Sequence, residues 1–136
     1  MRPIPVVVFT LVLALTFPLA GPALAKVPLS KVSAIDDSLM EVAIADEIRK
    51  QCNGISARMF RALGRLEDLK ALALSMGYSK KEIEDYVTSK SEKRRMRSKA
   101  EAFLSGQGVN PKDKSQLCRF GSAEMKRGTG IGTLLR

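Results

Sequence analysis

Two cysteines, Cys52 and Cys118, are the only thiols in 136 residues, and there is no histidine and no tryptophan. Two thiolates cannot build a four-thiolate zinc or iron–sulfur site. Without imidazole there is no Ser-His or Cys-His pair and no histidine metal ligand. No cofactor, metal or catalytic constellation is therefore expected. The cysteines lack C-x-x-C spacing, which favours a structural staple over a redox-active pair. Carboxylates remain for acid–base work, and Glu41 and Glu47 are the acids to nominate for a paired-carboxylate site acting on envelope glycan. Nothing in the sequence brings those two to a shared cleft. Glu41 reads more simply as a first-turn carboxylate facing a helix N-terminus. Glu82, Glu84 and Asp85 lack the alternating oxygen ligands and the glycine of a calcium loop, so they read as a solvated acidic face. The glycines of 128–136 follow no strand and carry no Gly-Lys-Ser/Thr, which removes a phosphate-cradling loop.

Charge supplies the second chemical signal. The chain has 23 basic and 14 acidic residues, a net charge of +9. The balance is neutral over 26–89, so the excess of the chain beyond the leader lies in 90–136. Its densest cluster is Lys90, Lys93, Arg94, Arg95, Arg97 and Lys99. Such asymmetry points either to a solvated face with snorkelling stems or to an anionic partner: an acidic envelope protein, an anionic polymer or a lipid surface. At 100° per residue the six cations do not gather into one stripe, as they would on a helix lying in a membrane surface.

The elements that position these residues are helices, because no segment alternates strictly and apolar residues recur at 3–4 spacing. Met1-Arg2, the apolar run Val6 to Phe17, and Ala23-Leu24-Ala25 read as a secretory signal peptide cut between Ala25 and Lys26. A twelve-residue helix reaches roughly 18 Å, short of a hydrocarbon core of about 30 Å. Export makes one disulfide, Cys52–Cys118, the simplest use of both thiols. Its loop of about 66 residues is worth roughly 4 kcal/mol in the chain-entropy model. Export also removes nucleic acid as a partner and leaves no transmembrane segment in the mature chain. The expected organisation is a signal peptide over 1–25, an extended arm over 26–35, an all-α domain over 36–127, and a flexible Gly-rich tail over 128–136.

Five helices are expected within that domain, in a small orthogonal or bundle-like packing. The first runs from a cap at Asp36–Ser38 to about Gln51, with Met40, Ile44, Ile48 and Cys52 in one seam. The second runs from a Ser56 cap to Met76, and its broad apolar face makes it the expected central core helix. Ser79 and Glu82 form a capping box that opens a short third helix, which should turn Ile83, Tyr86 and Val87 inward. The fourth spans about Ser91 to Ser105, and the fifth about Lys114 to Arg127, where Gly121 permits a close helix approach. In the tail, Ile131, Leu134 and Leu135 are available to dock on the domain or to meet a partner.

Several segments resemble one family: Asp46-Glu47-Ile48-Arg49-Lys50, Cys52, Ile55 to Met59, Gly77-Tyr78-Ser79, Lys93 to Glu101, Leu117-Cys118-Arg119 and Gly132 to Leu135. The chain is similar through them to a domain-of-unknown-function family of small exported bacterial proteins with two cysteines. The resemblance implies bacterial export and a cysteine pair, and no activity. The reading that follows is an exported, non-enzymatic helical interaction module of the periplasm. The alternatives are an acid-stress holdase that opens by charge self-repulsion at low pH, or a carboxylate enzyme using Glu41 and Glu47.

Overall fold

A computed structural model describes residues 25–136. The signal-peptide reading falls on 1–25, almost wholly outside the described residues. The described residues form five α-helices: α1 (Ser33–Gln51), α2 (Met59–Ser75), α3 (Lys80–Thr88), α4 (Lys90–Gly106) and α5 (Lys114–Arg127). Single 3-10 turns, Leu29–Lys31 and Gly132–Leu134, flank them, and no strand occurs among the described residues. None of these helices is long and apolar enough to cross a membrane.

The long axis of the core is α1. Its four-residue spacing of Met40, Ile44, Ile48 and Cys52 gives one buried stripe, with Ile44 1% and Ile48 0% exposed. Leu104 from α4, Leu117 and Phe120 from α5, and three tail residues close over that stripe. Gly121 fits against it because a β-carbon there would stand 2.7 Å from Ile48 Cγ2. The Cys52–Cys118 disulfide, with a Cα–Cα separation of 5.5 Å, ties the end of α1 to α5 beside this contact.

Local capping chemistry explains several boundaries. Ser79 Oγ accepts from the Glu82 N–H at 3.1 Å while the Ser79 N–H donates to Glu82 at 2.6 Å. Asp113 caps α5 through the Gln116 N–H at 3.1 Å, and Gly128 ends it at φ 64°.

Three expectations are corrected by packing. First, α1 starts at Ser33, inside the expected arm, and Asp36 is buried rather than capping. Leu29 and Ile35 anchor this start against Ala73 and Tyr78 in a small second cluster. Second, Ser56 is not a helix cap. It exchanges backbone hydrogen bonds with Arg136 at 2.7 and 2.9 Å, and α2 begins at Met59. Third, α2 is not the central helix. Only Leu69 and Ala73 on it are buried, while Met59, Phe60 and Leu63 are half exposed or more. The remaining faces of α1 are already covered by α4, α5 and the tail, so α2 packs by one edge.

The tail expected to be flexible is docked. Ile131, Leu134 and Leu135 are 2%, 1% and 1% exposed. The Arg58 N–H donates to the Leu134 carbonyl at 2.7 Å, and the Arg58 guanidinium donates to the Leu135 carbonyl at 2.9 Å. Gly132 lies so close to the Glu124 carbonyl that no β-carbon fits. The glycine serves close approach here, not mobility. The buried Glu124 carboxylate is held by Arg127 and Thr129.

Candidate functional site

Because α2 meets α1 by one edge, a cleft of about 400 Å³ opens between α1, α2, α3 and α4. Leu39 and Val42 on α1, Met59, Leu63 and Leu66 on α2, and Met96 on α4 line its walls. Asp46, Arg49, Glu92 and Lys93 also border it. Such a concave apolar surface with a few charged groups is the usual form of a binding site. Val87, expected to face the core, lies in the cleft wall and is 47% exposed.

The six candidate cations of α4 are divided by the structure. Arg95 and Lys99, one turn apart, face Asp36 of α1, and Lys99 Nζ lies 2.5 Å from Asp36 Oδ2 and 2.5 Å from Asp37 Oδ1. Arg95 forks onto Asp36 and also onto Glu92 at 2.7 Å. The Tyr86 hydroxyl of α3 donates to Asp36 Oδ1 at 2.5 Å. Burial pushes the Asp36 carboxyl up, but hydrogen bonds from Arg95, Lys99 and Tyr86 outweigh it and hold the group at about 2. Burial and then the adjacent Asp36 carboxylate push the Tyr86 phenol well above its ordinary range. Burial lowers the Lys99 ammonium, yet Asp36 and Asp37 raise it on balance. The Asp36 carboxylate also sits in the first turn of α1, where the helix dipole favours it.

Lys90, Lys93, Arg94 and Arg97 form no ion pair among the described residues. Their spacing of i, i+3, i+4 and i+7 sets them on one face of α4, and Lys93 reaches the cleft. The stripe was hidden in sequence because Arg95 and Lys99 interrupt it. The signal that separates them is the four-residue step from 95 to 99, which places both on the opposite side of the helix.

Glu41 and Glu47 do not meet. Six positions apart on α1, they point about 120° from each other. Glu41 pairs with Arg65 at 3.1 Å and lies against Gly130. Glu47 is exposed and accepts from the Gln51 amide at 2.9 Å. Among the described residues no three metal-ligating side chains converge. Sequence reasoning missed Asp36, whose partners lie 59 and 63 positions away.

Residues 27–136 match the model of a family described as a family of unknown function, DUF5333. No curated protein and no solved structure matches the chain.

Proposed function

The chain belongs to the DUF5333 family, whose function is unknown, and we propose that it is a non-enzymatic interaction module of the cell envelope. Its ligand is an acidic, amphipathic helix of a protein partner. The observation that carries this reading is the apolar cleft of about 400 Å³ with Lys93, one edge of the α4 cationic stripe, in its wall. A helix laid in the cleft would bury its apolar side against Met59, Leu63, Leu66 and Met96. Carboxylates along its edge would meet Lys93 first and the neighbouring Lys90 and Arg97 beyond the rim, none of which forms an ion pair among the described residues. A purely apolar partner leaves the stripe without a role, and a simple polyanion leaves the cleft without one. The disulfide supports a compartment that preserves it.

The test uses two fluorescently labelled amphipathic peptides with the same leucine face, one flanked by glutamates and one by lysines. Anisotropy should show saturable binding of the acidic peptide, weakening steeply with salt. The triple change K93E/R94E/R97E and the cleft-filling A62F should each abolish it. Equal binding of both peptides, or binding of anionic vesicles with none of the acidic peptide, overturns the reading.

A further inference from the structure

The face of α2 turned away from the core is a second, separate surface. Phe60, Leu63, Glu67, Lys70 and Leu74 follow one another at steps of 3, 4, 3 and 4, the seam of a helix built to pair with another helix. The five fall within an arc of about 80°. No element among the described residues covers them. Phe60 is 94% exposed and Leu63 54%, and the side chains of Glu67 and Lys70 are 75% and 49% exposed. The seam is apolar at its flanks and carries one charge of each sign at its centre.

That pattern is complementary to itself in one orientation. We propose that two copies of this chain dimerise by pairing their α2 helices antiparallel about a two-fold axis. In the antiparallel register that sets first seam positions against second ones, Leu63 meets the second copy's Leu74. Glu67 then meets the second copy's Lys70, and the axis repeats both contacts. Phe60 lands at Gly77 in the turn that ends the second copy's α2, next to Met76, itself 45% exposed. A parallel pairing would put Glu67 on Glu67 and Lys70 on Lys70, so charge selects the antiparallel form. The contact is isologous and closes at two copies, without leaving a free end for filaments. A 17-residue helix offers less than a standard interface, so the dimer is weak and concentration-dependent. The surface shares only Leu63 with the cleft, and it goes beyond the partner reading above.

Sedimentation equilibrium on protein recovered from full-chain expression tests it over a wide concentration range. Wild type should associate to dimers. E67K and K70E should each weaken association by about tenfold or more, since each turns both reciprocal contacts repulsive. The double change E67K/K70E should restore it, and an equimolar mixture of the two single variants should form heterodimers. All these positions are exposed, so unchanged thermal melting verifies that each variant folds. A wild type that stays monomeric throughout overturns the proposal. So does a dimer that survives both single charge changes, or an equimolar mixture that fails to associate. Because Leu63 belongs to both surfaces, binding of the acidic peptide is measured at dilutions where every variant is monomeric, so that it reports on the cleft apart from dimerisation.

Discussion

Replacing Asp36 by asparagine should cost about 2 kcal/mol at neutral pH. The carboxyl is held at about 2 against an ordinary value of 3.8. A neutral side chain therefore forfeits a little under two pKa units of preference, roughly 2 kcal/mol at 1.36 kcal/mol per unit. Breaking a fully buried pair costs about 3–5 kcal/mol because the abandoned charge stays dry. Here Arg95 and Lys99 are 35% and 29% exposed and can turn to water, which keeps the loss near the lower figure. For a domain of this size that is a melting temperature lower by roughly 8 °C. The folded-state value lies below the unfolded one, so the contribution is complete above about pH 4 and is lost as pH falls through 2. It should halve near about pH 3 and drop below about 0.5 kcal/mol at about pH 2. Urea unfolding followed by far-ultraviolet circular dichroism at several pH values measures the gap. Asp37→Asn is the control: its side chain is 59% exposed with one cation as partner, and should cost under about 0.5 kcal/mol. Equal stability of wild type and Asp36→Asn at pH 7, or a gap unchanged at pH 2, would refute the assignment.

Three further outcomes follow from packing. Leu134→Ala, at 1% exposure, should lose about 2–5 kcal/mol by urea unfolding; a loss below about 1 kcal/mol would mean the tail is not docked. Gly132→Ala must move the Glu124 backbone and should destabilise strongly, whereas Gly64→Ala, with open space at its β-position inside α2, should gain about 0.5–1 kcal/mol. Thermal melting of both separates close approach from mere helix propensity, because Gly132 has no positive φ. Reducing the disulfide, or replacing both cysteines with alanine, should remove roughly 4 kcal/mol and lower the urea midpoint with little change of helical signal in the folded baseline.

What could be read from the sequence was local. The capping box at Ser79 and Glu82, the bounds of α5, and the seam from Met40 to Cys52 each follow from neighbours within a few positions. Gly121 was legible as a close-approach site because a glycine on an apolar helix face leaves room only for another element. Periodicity marks an apolar face without saying what covers it, and α2 shows the consequence. Its stripe from Met59 to Met76 looks like a core helix, yet only Leu69 and Ala73 find places in the interior. The tail differs in the opposite sense. Its glycines read as flexibility, and its Ile131, Leu134 and Leu135 as free to dock or to meet a partner; docking is what occurs, with Gly132 bringing the chain against Glu124. Asp36 was out of reach because its partners are set by how α1 and α4 cross, a long-range fact with no local trace.

The crossing of α1 and α4 also links stability to the proposed recognition. A helix with six cations would ordinarily repel itself and resist packing on an apolar core. Asp36, Asp37 and Glu92 neutralise the two that face inward, so α4 can bury Leu104 and partly bury Met96 and Phe103. The four that remain share the opposite side, where no acid among the described residues pairs with them. Positive charge is thus sorted by the α1–α4 contact into a paired inner set and an unpaired outer set. With Arg95 and Lys99 paired to Asp36 and Leu104 buried in the core, α4 is held with its outer set turned away from that contact. That orientation brings Lys93 to the edge of the apolar cleft, where the partner proposed above would present a carboxylate beside its leucines.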